Sequence, residues 1–85
     1  MNAVQWTARA AKQLRKLDHG IQVRIRDAVS EKLPSFPDCS GVKALTGHAC
    51  GYRLRVGNYR VLFNHDAFIE IISVEEVKKR DERTY

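Results

Sequence analysis

The feature that most limits the fold of this chain is the alternation of apolar and polar residues over positions 52–63, YRLRVGNYRVLF. Tyr52, Leu54 and Val56 occupy every second position, and Gly57-Asn58 then supplies a two-residue turn before a second alternating run. Because successive side chains of a strand point to opposite faces of a sheet, the segment predicts an antiparallel hairpin with one apolar face. Such a hairpin needs a second layer to cover that face.

Two amphipathic helices upstream of the hairpin are predicted to form this layer. A short strand around Val4 and Trp6 comes first, and Thr7 stands where an N-cap accepts the first free helical amides. The first helix is expected to end at His19 and Gly20. Its apolar residues follow a helical spacing and comprise Ala10, Ala11, Leu14 and Leu17.

The second helix is expected from Ile21 to Leu33, because Pro34 stops it. Residues 34–41, PSFPDCSG, are then expected to form an ordered loop. After the hairpin, the sequence predicts a turn at His65-Asp66 and a third strand over residues 67–74. The predicted fold is therefore α+β in the order β-α-α-β-β-β, with a helical hairpin packed on one face of a small antiparallel sheet.

The composition predicts one domain over residues 1–85, since a chain of 85 residues buries only a single small core. No apolar run approaches the ~20 residues that cross a bilayer, and no signal-type stretch begins the chain, so a cytoplasmic location without a membrane partner is expected. Cys39 and Cys50 lack the CxxC spacing of a zinc or redox site. Neither a metal nor a cofactor is expected.

Positive charge is concentrated in two blocks of the chain, whose net charge is +5. Residues 1–26 hold six basic residues against one acidic residue, and residues 43–64 hold four basic residues and no acidic one. A polyanionic partner is expected from this distribution, with nucleic acid first and an acidic protein second. Many small basic proteins bind no polyanion, so charge alone leaves a purely solvated surface open.

The hairpin register places three arginines on the sheet face that the helices leave uncovered. With a two-residue turn, Arg55 pairs with Arg60, and Arg53 lies two residues away on the same strand. Like charges opposed across a sheet cost stability, so a binding function explains them better than folding does. Guanidinium groups hold phosphate oxygens in pairs and stabilise a developing phosphorane-like charge. The alternative is a solvated face whose arginines contact carboxylates such as Glu70.

Arginine keeps its proton at any working pH, so a nuclease built on this cluster needs another group to move protons. The candidates are His48, His65, Tyr59, Tyr85 and the acidic residues near the end of the chain. The polar tail EEVKKRDERTY, residues 75–85, is either a solvated terminus or an arm that brings Arg80 and Tyr85 to the arginine face.

The chain resembles the RelE toxins of the RelE/ParE superfamily of bacterial toxin–antitoxin pairs. The resemblance rests on the order of elements and on three segments: VKALTG (42–47), YRLRVGNYRVLF (52–63) and VKKRDERTY (77–85). It implies a RelE-like fold and a toxin that enters the ribosomal A site and cuts mRNA, with the RNA's own 2′-hydroxyl attacking the adjacent phosphate. It also implies a cognate antitoxin that wraps around the toxin.

The resemblance also implies site residues. Catalytic roles fall on Arg53, Arg55, Arg60, Arg80 and Tyr85. The best-known RelE toxins carry lysines at the first two positions, so charge stabilisation suits these arginines better than proton abstraction. Contacts with ribosomal RNA and mRNA are expected from Arg9, Lys12, Lys16, Lys43, Lys79 and Arg83. Arg83 competes with Arg80 for the C-terminal arginine role, and for the three helix residues a solvated face is an equal alternative.

The sequence thus predicts a ribosome-dependent, metal-independent endoribonuclease that inhibits translation. One alternative is a ParE-like toxin that poisons DNA gyrase by binding and has no nuclease site. Another is a member of the superfamily that no longer cleaves and survives as a partner-binding module. The arginine trio and the terminal arginine and tyrosine favour the nuclease.

Overall fold

Two helices lie on one face of a five-stranded sheet in the computed structural model, which describes residues 1–79. The predicted α+β class is confirmed. The elements in chain order are β1 (Ala3–Trp6), α1 (Ala8–Arg15), α2 (His19–Lys32), a 3₁₀ helix (Leu33–Ser35), β2 (Val42–Ala44), β3 (Tyr52–Val56), β4 (Tyr59–Asp66) and β5 (Ile71–Lys79). Within residues 1–79, no helix has the length and apolarity needed to cross a bilayer.

The strands are ordered β1-β5-β4-β3-β2 across the sheet. Strands β2 to β5 pair antiparallel in succession, whereas β1 pairs parallel to β5, so the sheet is mixed rather than wholly antiparallel. The helices carry the chain from β1 to the far edge of the sheet, and three reversals then bring β5 back beside β1. Strand β2 is too short, at three residues, to show a period in the sequence.

The core lies between the helices and the apolar face predicted for the hairpin. Leu54, Val61 and Phe63 are fully buried, which confirms that this is the covered face. The remaining members of the core cluster come from both helices, the 3₁₀ helix and β5, and comprise Ala10, Leu14, Ile25, Val29, Leu33, Ile72, Val74 and Val77. Because successive side chains of a strand alternate between faces, the residues on either side of Leu54 in β3, Arg53 and Arg55, point away from the helices.

The start of α1 is confirmed and its predicted end is wrong. The Thr7 hydroxyl accepts a hydrogen bond from the Ala10 amide at 3.1 Å, as an N-cap does. The helix ends at Arg15, and His19 and Gly20 lie in the first turn of α2 instead of stopping α1. The amide of Leu17 bonds the carbonyl of Leu14 at 3.1 Å, so the chain leaves α1 through a tighter turn before His19 is reached.

The predicted turn at His65-Asp66 is wrong, because both residues belong to β4. The reversal lies at residues 67–70, where the Asp66 carboxylate accepts hydrogen bonds from the amides of Phe68 at 3.0 Å and Ile69 at 3.3 Å. Strand β5 therefore starts at Ile71 and not at position 67. It continues to Lys79, so residues 75–79 of the predicted polar tail belong to the sheet.

Candidate anion-binding site

The register of the β3–β4 hairpin is the one predicted from the sequence. Val56 pairs with Tyr59, and Arg55 pairs with Arg60. Gly57 takes a φ of +58°, the left-handed conformation that a two-residue hairpin turn requires and that glycine adopts without strain. Arg53, Arg55 and Arg60, hereafter the arginine cluster, therefore share the face opposite the core, hereafter the open face.

The arginine cluster lines a single small cavity of about 40 Å³ together with Gly57 and Tyr59. Arg55 is exposed, whereas Arg53 and Arg60 are half-buried. Within residues 1–79, the Nε of Arg53 is buried and has no hydrogen-bond partner. A buried donor left unsatisfied costs about 1–3 kcal/mol, and a shift of the Arg53 side chain that exposes this nitrogen to an anionic oxygen would remove that cost.

Carboxylates do not neutralise the arginine cluster within the part of the chain that the structure describes. The ion pairs there join the Met1 amine to Glu70, Arg9 to Glu76, and Lys78 to Glu76. Glu70 is the carboxylate considered as a partner for the arginines, but its Oε1 lies 3.1 Å from the backbone nitrogen of Met1. The positive charge of the arginine cluster is therefore available to an external anionic ligand.

Lys78 extends the arginine cluster across a third strand. Arg60 pairs with Arg55 on β3 and with Lys78 on β5, so three cations lie side by side on neighbouring strands. Paired strands are about 4.8 Å apart, which places the three side chains in a row roughly 10 Å long. The sequence pattern does not predict this position of Lys78, because it depends on an irregularity in the pairing of β5.

The irregularity is a register shift between Leu62 and Phe63 of β4, opposite residues 74–76 of β5. Leu62 pairs with Glu76 and Phe63 with Val74, which leaves Glu75 as an extra residue. After that residue the alternation is reversed, and Lys78 points to the open face. Lys79, predicted to contact RNA, pairs with Tyr59 and lies on the helix side of the sheet.

The other predicted RNA-binding residues differ in their relation to the cluster. Lys43 is exposed and pairs with Arg53 across β2 and β3, so it borders the cluster on the open face. Arg9 forms an ion pair with Glu76, which lies on the open face, and the distance from Nη2 of Arg9 to Oε2 of Glu76 is 3.5 Å. Lys12 and Lys16 are exposed on α1 and at its C-cap, and no ion pair or hydrogen bond recorded for residues 1–79 joins them to the cluster. The predicted residues Arg80, Arg83 and Tyr85 lie outside the described residues.

The candidate proton-transfer residues lie in three different places. His65 faces the helix side of the sheet: its Nε2 is 3.1 Å from Oδ1 of Asn2, and its ring packs edge-on against Phe36 at 5.0 Å. His65 therefore points away from the arginine cluster. His48 is exposed in the β2–β3 loop, where its Nδ1 accepts a hydrogen bond from the Cys50 amide at 3.0 Å. Tyr59 lines the cavity but also packs against the core cluster on the helix side of the sheet.

The open face is partly covered by the loop between β2 and β3, residues 45–51. The Gly51 amide donates a hydrogen bond to Oδ1 of Asn64 at 2.7 Å, and Cys50 is buried in this loop. Burial raises the pKa of the Cys50 thiol, and the charges of Glu75 and Glu76 raise it further. A thiol with a raised pKa is a poor nucleophile at neutral pH. Within residues 1–79, no group of three or more His, Cys, Asp or Glu side chains could hold a metal ion.

Comparisons with known proteins agree with this architecture. A family model described as the ParE toxin of the type II toxin–antitoxin system parDE matches residues 4–83. A comparison with curated protein sequences finds no significant match.

Several solved structures resemble the chain over nearly its whole length. The RelBE2 toxin–antitoxin complex of Mycobacterium tuberculosis matches at 24% identity and a TM-score of 0.77, covering 93% of this chain and 98% of that one. The isolated E. coli RelE toxin matches at 21% identity and 0.79, covering 98% and 88%. The archaeal RelE–RelB complex of Pyrococcus horikoshii matches at 24% and 0.72, covering 96% and 98%. At such identities the likeness shows the fold, and the predicted RelE-like fold is confirmed.

Proposed function

Since this chain belongs to the ParE toxin family of type II toxin–antitoxin systems, in the RelE/ParE superfamily, we propose that it is a ribosome-dependent endoribonuclease. It cleaves mRNA in the ribosomal A site and so inhibits translation. The observation that carries the proposal is the cavity lined by Arg53, Arg55 and Arg60, which form no ion pair with a carboxylate within residues 1–79. Such a cavity is suited to the oxygens of a phosphodiester.

In this reaction the 2′-hydroxyl of the RNA attacks the adjacent phosphorus, and the bond to the 5′-oxygen of the next nucleotide breaks. The products are a 2′,3′-cyclic phosphate and a free 5′-hydroxyl. Negative charge develops on the non-bridging oxygens as the attack proceeds. Arg53, Arg55 and Arg60 stabilise that charge, because their side chains line the cavity in which it develops.

The reaction also needs a base for the 2′-hydroxyl proton and an acid for the leaving 5′-oxygen. Tyr59 lines the cavity but packs against the core cluster, and His65 is directed to the same helix side of the sheet. Glu76 lies on the open face but is held by Arg9 and Lys78. From the resemblance to RelE toxins, we assign two roles to the end of the chain. Tyr85 either protonates the leaving oxygen or stacks on a nucleobase of the substrate, and Arg80 makes a fourth contact with the phosphate.

The proposed partners are a cognate antitoxin, the small-subunit ribosomal RNA and mRNA, in the cytoplasm. Solved relatives of the same fold are toxin–antitoxin complexes, which supports the antitoxin. Lys43 borders the arginine cluster and Lys78 extends it, which supports an extended polyanion over a single small anion.

The second candidate function is the poisoning of DNA gyrase, which the ParE description of the matching family favours. A gyrase poison acts by binding and needs no cavity that collects phosphate oxygens. A third candidate is a toxin-fold protein that binds its partner and no longer cleaves.

One set of assays separates these candidates. The purified chain is added to ribosomes programmed with mRNA, and cuts are mapped by primer extension; in parallel it is added to gyrase with supercoiled DNA. A nuclease gives A-site cuts and no gyrase–DNA cleavage complexes, whereas a gyrase poison gives cleavage complexes and no A-site cuts. A binding module gives neither. Arg60→Ala is expected to abolish the cuts while antitoxin binding is retained, with Arg26→Ala on α2 as the matched control. Full cleavage by Arg60→Ala would refute the assignment.

A further inference from the structure

We infer that Arg24 of α2 extends the arginine cluster around the β3–β4 turn and contacts a second phosphate of the bound RNA backbone. The inference rests on the proposed RNA-binding function. It assigns a role to an arginine that the sequence pattern placed only on a solvated helix face, and it defines the ligand as a strand of at least two phosphates.

The guanidinium group of Arg24 lies directly against the hairpin turn. A Cβ atom built on Gly57 would stand 3.1 Å from Nη2, 3.7 Å from Cζ and 3.9 Å from Nη1 of Arg24. Gly57 also lines the cavity of the arginine cluster. One residue without a side chain therefore lies between Arg24 and the cavity, and a Cβ at this position would require the flexible end of Arg24 to shift by a few tenths of an ångström.

Nothing within residues 1–79 neutralises Arg24. The three ion pairs there do not include it, and none of the side-chain hydrogen bonds there involves its guanidinium group. Asp27, one helical turn away, forms no ion pair with it. A cation held against the turn that borders the arginine cluster adds to the positive charge there, a repulsion that folding alone does not reward. A polyanion that passes the turn would remove this repulsion.

The position of Arg24 requires a second phosphate rather than the one in the cavity. Helix α2 packs on the covered face of the sheet, whereas the arginine cluster lies on the open face. Gly57 lines the cavity of about 40 Å³ and is also the residue that Arg24 approaches, so Arg24 borders the site at the turn. A strand of RNA that crosses the end of the hairpin contacts both the arginine cluster and Arg24. One phosphate then lies in the cavity, and a second lies beside Arg24.

The test measures binding of a fluorescent single-stranded RNA dodecamer to the full chain over a range of salt concentrations. Each phosphate neutralised contributes about 0.7 to the slope of log K against log salt for single-stranded nucleic acid. Arg24→Ala is expected to lower the slope by about 0.7, and Arg24→Lys to restore it. Arg26→Ala, an exposed arginine two residues along the same helix, is expected to leave the slope unchanged.

A second measurement separates the two phosphate contacts. Inorganic phosphate competes for the cavity, so its inhibition constant is expected to rise in Arg60→Ala and to stay unchanged in Arg24→Ala. Circular dichroism checks that each variant is folded. A wild-type slope in Arg24→Ala, with RNA binding lost in Arg60→Ala, would overturn this inference and leave the proposed function standing. Absence of RNA binding by the wild-type chain would also overturn this inference, whereas the proposed function falls only if mRNA on programmed ribosomes is not cut.

Discussion

Arg55 and Arg60 face each other directly across the two-residue hairpin, as a cross-strand pair of like charge. Such pairs are destabilising relative to neutral ones, and within residues 1–79 no carboxylate lies between them. The same pair lines the cavity that we assign to the scissile phosphate. The geometry is that of a site that sacrifices some stability for ligand binding.

Replacing one member of this pair is therefore expected to stabilise the free protein while it impairs cleavage. Arg55→Thr keeps a residue that suits a strand and should raise the free energy of unfolding by about 0.2–1 kcal/mol at low salt. The gain should shrink at high salt, because screening already weakens the repulsion there. Urea denaturation at two salt concentrations measures it, and a loss of stability in Arg55→Thr would contradict the account.

Asn2 is expected to be the most consequential polar side chain near the N terminus. Its Nδ2 lies within hydrogen-bond distance of the carbonyls of Leu33, Pro34 and Phe36 at 3.2, 3.3 and 2.9 Å, and its Oδ1 is 3.1 Å from His65. Asn2→Ala leaves the Phe36 carbonyl and the His65 Nε2 without these contacts, while the carbonyls of Leu33 and Pro34 keep their bonds from backbone amides, so the free energy of unfolding should fall by about 1–3 kcal/mol.

Gln5→Ala on the exposed side of β1 is the control for Asn2→Ala, and it should change the stability by less than about 0.5 kcal/mol. Both are measured by urea denaturation at the same pH. Equal stabilities of the two variants would show that the Asn2 network contributes nothing.

The hairpin and the arginine cluster could be predicted because their signals are local. A period of two and a Gly-Asn turn fix which residues share a face, and they fix Arg55 opposite Arg60 without any distant contact. The turn after β4 could not be placed in this way. Residues 67–70, AFIE, have the composition of a strand, and they turn because the Asp66 carboxylate captures two amides.

The place of Lys78 was beyond sequence reasoning for a related cause. One extra residue at Glu75 reverses the alternation, so a period-two extrapolation along β5 gives the wrong face for Lys78 and Lys79. The approach of Arg24 to Gly57 joins a helix to a turn 33 positions away. No local pattern encodes such a contact, and the same holds for the unpartnered Nε of Arg53.

The buried thiol of Cys50 predicts a specific pH dependence of stability. Burial holds its pKa above the usual value, so in alkaline solution the unfolded chain loses this proton first. The unfolded state then binds fewer protons than the folded state, and this group's contribution to stability declines as pH rises. The contribution of Cys50 to stability is fully present below the pKa of the thiol in the unfolded chain, about 8.5. It is lost as pH rises through the higher pKa of the thiol in the folded chain.

Cys50→Ala removes this proton and provides the comparison. The stability of the wild-type chain minus that of Cys50→Ala should be constant between pH 6 and pH 8. It should then fall by up to about 1.4 kcal/mol per pH unit above pH 8.5. Other groups titrate alike in both chains, so the difference isolates Cys50. A difference that stays level to pH 10 would show that the thiol ionises as readily in the folded state.

Glu76 is the carboxylate that limits the positive charge beside the arginine cluster. Its side chain is 17% exposed and lies 3.5 Å from Arg9 and 3.6 Å from Lys78, so it competes with RNA phosphates for both cations. Glu76→Gln should raise RNA affinity about 1.4- to 5-fold, because surface ion pairs of this kind are worth about 0.2–1 kcal/mol. Glu75→Gln is the matched control, since the Glu75 carboxylate accepts the Ser73 hydroxyl hydrogen bond at 2.7 Å and joins no ion pair within residues 1–79. Fluorescence anisotropy with the RNA dodecamer measures both variants, and weaker binding by Glu76→Gln would show that this carboxylate orders Lys78 for RNA instead of competing for it.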